Sequence, residues 1–373
     1  VKKLTFFLLC LEGAVLSFNV AATAAIVPSV AKDFALSQFL AGKIVWLYML
    51  PYGLAALIYG PLVRLIDAKK IELFCLFFFS LANLLAGLSG SIYMLFACRL
   101  MMGIFGASVI PLALILIARH IEPDKRGRLI GIFFSATFIA SLLGLLLSAV
   151  IPWRMIYIIP AILGFITWGI VYFYLPSFKT DVSKFQLSYI AAFKDKAVLF
   201  IFLYIFLVSF IYHGIQQWLG VYFSTQYSFT QFVISMLITL TSLSGIFGEV
   251  IGGRLADKLG RIKTIDIGLI LMLIIVLGLI ARTNLFVLAL LMIAWGFGWT
   301  LNHAGLSTAL TDLPDKFLNE AASLNSSVRF LSGGIGAAAG GALMQRSFNF
   351  GFIVFAIGLI ALLFLSREII ISK

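Results

Sequence analysis

Charge is scarce in this chain. Of 373 residues only 11% are Asp, Glu, Lys or Arg and 62% are apolar, whereas a soluble globular domain carries about a quarter charged residues. That balance excludes a soluble globular protein. Cysteine is scarcer still: Cys10, Cys75 and Cys98 lie in apolar sequence without metal-ligand spacing and read as inert core residues. The chain lacks H-E-x-x-H and G-x-S-x-G and shows no paired carboxylates at mid-depth, so it is not read as an enzyme. It also lacks G-x-x-x-x-G-K-[ST], which excludes direct drive by ATP. No cofactor is implied. His213 and His303 have no further His or carboxylate beside them in sequence, so no metal site is expected. Acids are few, 15 against 27 bases. Such an excess can signal nucleic acid, but here the bases fall in alternate loops, so no nucleic-acid partner is expected.

What is present is apolar sequence in runs of membrane length, about 18 residues or more. Twelve spans are predicted, near 5–30, 40–60, 71–90, 92–118, 128–150, 154–175, 197–222, 231–252, 264–281, 284–311, 320–344 and 348–366. The run after Lys2-Lys3 shows no small-residue cleavage site and continues past Glu12, so it reads as a retained first helix. Twenty basic residues lie on the side of the N-terminus and five on the other, with only Arg99 and Arg329 inside spans. The positive-inside rule then places both termini in the cytoplasm and the chain in the plasma (cytoplasmic) membrane. The longest connection, 176–196, mixes apolar and basic residues as an interfacial helix does. It divides the chain into halves 1–175 and 197–373. Gly60-Pro61-Leu62 recurs as Gly253-Arg254-Leu255, and Pro123-Asp124-Lys125 as Pro314-Asp315-Lys316, at offsets of 193 and 191.

The eighth and ninth spans are joined by Gly253–Lys263, G-R-L-A-D-K-L-G-R-I-K. Gly253 would permit close backbone approach or an unusual dihedral, and Gly260 a turn without a Cβ penalty. Asp257 supplies a fixed carboxylate, and Arg254, Lys258, Arg261 and Lys263 hold the hairpin at the cytoplasmic face. This stretch resembles the loop between the second and third helices of each half in the major facilitator superfamily, G-x-L-a-D-r-x-G-r-k. The match covers Gly253, Leu255, Asp257, Lys258, Gly260 and Arg261. The resemblance implies an all-α integral membrane protein with twelve transmembrane helices in two pseudo-symmetric six-helix bundles, a monomer that moves a small molecule across the bilayer. In the first half the motif is eroded: Gly60 and Leu62 remain, Arg64 stands in place of the acid and Asp67 in place of the second glycine. The conformational latch is therefore assigned to the second half.

Ionisable groups inside spans are costly, by about 2.5–3.5 kcal/mol on insertion scales, and are functional candidates. They are Glu12, Arg99 and Arg329; the plain alternative for each is an ion pair between helices. Glu12 reads as the one deep carboxylate. Arg99-x-x-x-Gly103 resembles the fourth-helix pattern of proton-coupled exporters, in which the arginine sits near a first-helix acid, so Glu12 and Arg99 are the proton-coupling candidates. Asn19, nine residues before Pro28, stands where drug exporters carry a first-helix acid. Pro152-Trp153-Arg154 aligns the end of the fifth helix with theirs. Gly144 keeps one glycine of the antiporter signature, and Ala140 and Ser141 replace its Gly-Pro. In the second half His213, Gln216 and Gln217 share a helix face. Trp295, Trp299, Asn302 and His303 form a stripe read as cavity lining, and Asn325 with Arg329 points the same way. Glu249 is expected to pair with the basic residues of the loop motif. Glycines 333, 334, 336, 340 and 341 suit close helix packing.

The expected function is secondary active export of a small organic solute in exchange for protons. A proton symporter or uniporter importing a small metabolite is the alternative, favoured by the missing Gly-Pro.

Overall fold

In the computed structural model the described residues are 2–63, 65–120, 123–177, 189–310, 313 and 318–369; they hold helices and no strand. Within a hydrocarbon core a helix satisfies its own backbone polar groups, which an open strand cannot do. The chain divides into two compact units, Val1–Gln186 and Leu187–Lys373. The first contains α1 (Lys2–Ser17), α2 (Val20–Asp33), α3 (Gln38–Ala41), α4 (Lys43–Leu62), α5 (Ala68–Gly87), α6 (Ile92–Gly106), α7 (Val109–His120), α8 (Pro123–Leu147) and α9 (Met155–Tyr174). The second contains α10 (Tyr189–Lys194), α11 (Lys196–Gln216), α12 (Leu219–Tyr227), α13 (Gln231–Leu259), α14 (Arg261–Ile280), α15 (Leu285–Leu310), α16 (Leu318–Arg346) and α17 (Phe348–Ile369). The expected interfacial segment falls largely on 178–188, and the repeat at Pro314–Lys316 also lies outside the described residues.

Eleven stretches among the described residues are long and apolar enough to cross a membrane. The remaining predicted span, the eleventh in chain order, falls on α16, a helix of 29 residues. Its length suffices, about 43 Å at 1.5 Å per residue, but Gly, Ala, Ser, Asn325 and Arg329 make it less apolar than the others. Three spans expected as single helices are each two. The first breaks at Phe18–Asn19, the fourth at Ala107–Ser108 and the seventh at Gln217–Trp218. At each break a polar group finds a partner: Asn19 donates to Asn83 Oδ1 at 2.7 Å, Ser108 to the Phe105 carbonyl at 2.8 Å, and Trp218 to the Ala337 carbonyl at 2.7 Å. Large apolar side chains such as Phe7, Leu54, Ile58, Phe74, Ile274 and Phe364 are exposed, as lipid-facing positions are.

What joins the helices is backbone contact at small residues. A Cβ on Gly103 of α6 would overlap the Tyr48 carbonyl oxygen of α4. In the second unit Gly296 of α15 meets the Thr241 carbonyl of α13 in the same way, with both residues 193 positions further on. Gly144 of α8 lies on the Phe18 carbonyl at the break in the first span. Gly336 of α16 lies on the Phe210 carbonyl of α11, both residues shifted by 192. The repeat glimpsed in the loop sequences thus reappears as the same two contacts in each unit. Gly253 is different: it lies inside α13 and a Cβ there would meet nothing within 4 Å, so the close approach expected of it belongs to its neighbour Gly252, against Leu301 and Ala304.

Two substitutions test this packing. Gly103→Val and Gly296→Val should each destabilise by about 1–3 kcal/mol through overpacking, read as earlier thermal unfolding of purified protein in detergent. Gly253→Ala should unfold no earlier than the parent, since it relieves a helix-interior glycine of about 0.5–1 kcal/mol.

Candidate functional site

In the N-terminal unit polar groups of the first span and of α5 come together. Glu12 lies on α1, and Asn19, seven residues on, lies at the break that follows it. Asn83 of α5 meets Asn19 by its side-chain oxygen, and Glu72, eleven residues before Asn83, lies within electrostatic reach of Glu12. Glu12 is 1% exposed and Glu72 2%. Oε1 of Glu12 and both oxygens of Glu72 have no hydrogen-bond partner, and among the described residues neither acid forms an ion pair. The expectation of a single deep carboxylate is corrected: among the described residues Glu72 is a second buried one, within electrostatic reach of Glu12. Glu72 follows Lys69-Lys70 in the first turns of α5, so in sequence it looks like part of a charged loop. It is also within electrostatic reach of Asp67, which caps α5 by accepting from Lys69 N–H at 2.8 Å.

Arg99 is not beside Glu12. Its Nε donates to the Ile44 carbonyl of α4 at 2.8 Å and Nη1 points to Met102 Sδ at 3.5 Å. Its guanidinium lies over the Tyr48 ring, 4.4 Å from the centroid. One turn on, Gly103 touches the Tyr48 carbonyl. The R-x-x-x-G pattern is therefore a clamp between α6 and α4, held by one charge-assisted hydrogen bond, one cation–π contact and one backbone contact. Trp153 and Arg154 form a second knot. Trp153 Nε1 donates to Asp33 at 3.2 Å, Arg154 pairs with the same carboxylate at 2.9 Å, and Arg154 Nη1 donates to the Ser89 carbonyl at 2.7 Å. The end of α2 is thereby tied to the end of α5.

The C-terminal unit gathers its candidates along α11, α15 and α16. Gln217 Nε2 donates to His213 Nδ1 at 3.1 Å, and Trp295 Nε1 donates to Gln216 Oε1 at 2.7 Å. Tyr212, which carried no signal of its own beside His213, stacks on Trp299 with ring centroids 3.8 Å apart and 7° between planes, and on Trp295 at 5.3 Å and 20°. The His213 ring lies 5.9 Å from Trp299 and that of His303 6.0 Å. Arg329 is within electrostatic reach of His213 and of Glu249. Its Nε donates to Asn325 Oδ1 at 2.8 Å, the i, i+4 pairing expected, while Nη1 and Nη2 have no acceptor. Two expectations are corrected. Glu249 turns to His303, 3.0 Å from Nδ1, and not to the loop bases. Asn302 leaves the aromatic stripe and packs on α14, where its amide reaches the Ile265 carbonyl at 3.4 Å.

The loop motif is a tight helix–helix corner. α13 runs to Leu259, Gly260 takes φ +92°, and α14 begins at Arg261. A positive φ of that kind favours glycine. Asp257 and Arg261 lie one turn apart at 3.6 Å, and Arg261 Nη1 donates to the Ala256 carbonyl at 3.0 Å. Asp257 is largely exposed. In the first unit Gly60 is buried in the last turn of α4.

Among the described residues, helices of membrane-spanning length are built twice on one contact plan with buried charge in each unit, the plan of a two-bundle membrane protein. The chain belongs to the Major Facilitator Superfamily, whose sequence model matches residues 9–337 and 227–369. It is similar to the uncharacterised transporter YceJ of Bacillus subtilis, 24% identical over 91% of this chain and 88% of that protein. It is also similar to Multidrug resistance protein 3 of Bacillus subtilis, 31% identical over 33% of this chain and 25% of that one. Among solved structures the nucleoside transporter NupG superposes with a TM-score of 0.80 at 13% identity, covering 98% of this chain and 99% of that one.

The clamp reading of Arg99 has its own signature. Arg99→Lys should lower thermal stability by about 1–2 kcal/mol, since a lysine cannot reproduce the planar fork. Thermal unfolding of the purified protein in detergent checks this.

Proposed function

We propose that the protein is a secondary active transporter that exports a small organic solute in exchange for protons, by alternating access. The carrying observation is the pair Glu12 and Glu72, both buried and both with carboxylate oxygens that meet no donor. A carboxylate charge held away from water and without a partner is strongly unfavourable, and a second one nearby adds repulsion. A bound proton removes both penalties, which is what a coupling site must do in one state and undo in another. Relatives named for resistance to drugs, azoles and puromycin support export. A relative named a gallate transporter, together with the Ala140-Ser141 departure from the antiporter signature, keeps proton-linked import as the second reading. The distribution of basic residues supports the cytoplasmic membrane with both termini inside, and the protein acts as a monomer with two six-helix halves. The stripe of His213, Gln216, Gln217, Trp295 and Trp299 contributes to the solute site.

Two experiments check this reading. In proteoliposomes Glu12→Gln, which imitates the protonated acid permanently, should abolish accumulation driven by a pH gradient while solute exchange between the two sides persists. Gradient-driven transport at the parent rate would remove Glu12 from coupling. Asp257→Asn keeps the side-chain shape and removes the charge paired with Arg261. Solute binding should survive and turnover should fall, because the loop governs which face opens; parental turnover, or equal loss of both, contradicts the gating role.

A further inference from the structure

We propose that the C-terminal unit binds an organic anion bearing a planar ring, with Arg329 taking the carboxylate and the Tyr212–Trp299 stack taking the ring. This deepens the transport reading and rests on it for its physiological sense, although binding itself is measurable without transport.

The argument begins from the two buried arginines, which the structure treats differently. Arg99 spends its guanidinium on the Ile44 carbonyl, Met102 and the face of Tyr48. Arg329 is 9% exposed, uses only Nε, and presents Nη1 and Nη2 to no acceptor. A guanidinium stays charged at any working pH, so a buried one without an acceptor is a standing penalty that a ligand can remove. The acid within its electrostatic reach, Glu249, is held by His303 at 3.0 and 3.2 Å and makes no ion pair with Arg329. Asn325 fixes the guanidinium at Nε and so sets the direction of the free edge. Two parallel N–H donors match a carboxylate in bidentate geometry.

His213 supplies a further donor without adding charge. A glutamine amide nitrogen can only donate, so Gln217 requires a lone pair on His213 Nδ1 and leaves the proton on Nε2. Beside it stands the pile Trp295–Tyr212–Trp299, pinned at one end by Gln216. Trp299 is its half-buried member, so this ring is the one placed to receive a planar ligand. A lipophilic cation would use the same rings but meet the unpaired charge of Arg329. A simple inorganic anion would use Arg329 and ignore the rings. A planar aromatic carboxylate uses both.

The test uses the purified full-length chain in detergent, with binding read by tryptophan fluorescence and by thermal shift. The probes are 4-hydroxybenzoate, its neutral counterpart 4-hydroxybenzamide, acetate, and tetraphenylphosphonium. Saturable binding of 4-hydroxybenzoate is expected, at least about tenfold tighter than the amide or acetate. Arg329→Lys should weaken it by about tenfold, because the charge remains and the fork is lost; Arg329→Gln should abolish it, and Trp299→Leu should weaken it without moving acetate. If Arg329→Gln does not fold, Arg329→Lys and Trp299→Leu decide. Equal affinity for acid and amide, tighter binding of the phosphonium ion, no saturation at millimolar 4-hydroxybenzoate, or parental affinity in the folded Arg329 variants each overturn the proposal. Acetate bound as tightly as the aromatic acid shows that the rings contribute nothing and overturns it too. Lost binding with transport of another solute intact defeats the anion site alone. Intact binding with no transport of any panel solute defeats the transport reading and leaves the site.

Discussion

Lipid chains are as apolar as leucine, so burying leucine against leucine does not hold membrane helices together. What remains is dispersion at very short range, and that requires backbones to meet. In this protein they meet where a glycine of one helix lies on a carbonyl of another: Gly103 on Tyr48 and Gly144 on Phe18, then Gly296 on Thr241 and Gly336 on Phe210. Each contact forbids even a methyl group. Because the same pair of contacts is built into both units, each bundle has a scaffold whose helix spacing is set by main chain and not by the variable side chains around it.

A scaffold fixed in this way leaves the polar residues free to be specialised, and the two units have specialised differently. In the first, buried acids stand out: Glu12 of α1 and Glu72 of α5 lie within electrostatic reach, and Asn19 is joined to Asn83. Its buried arginine is consumed by the scaffold. In the second, a buried base, Arg329, has two nitrogens without an acceptor and lies within electrostatic reach of His213. In the function proposed above, proton handling falls to the first unit and solute handling to the second. The Asp257–Arg261 corner of the second unit is exposed and turned at Gly260.

The sequence by itself determined the class of the molecule. Apolar runs, alternate basic loops and the Gly253–Lys263 motif are local or periodic signals, and each depends on residues close together in the chain. The same is true of Asn325 with Arg329 and of His213 with Gln217, both one helical turn apart. Tertiary structure alone decided which groups on different helices face each other. It placed Glu72 near Glu12, turned Arg99 to Ile44 and Tyr48, gave Glu249 to His303 and Asn302 to α14, and put Tyr212 between two tryptophans. Helical spacing tells which residues share a face, but the neighbour of that face depends on how helices pack. Here packing is governed by glycine contacts between segments more than fifty residues apart in the chain, and no local pattern carries that information.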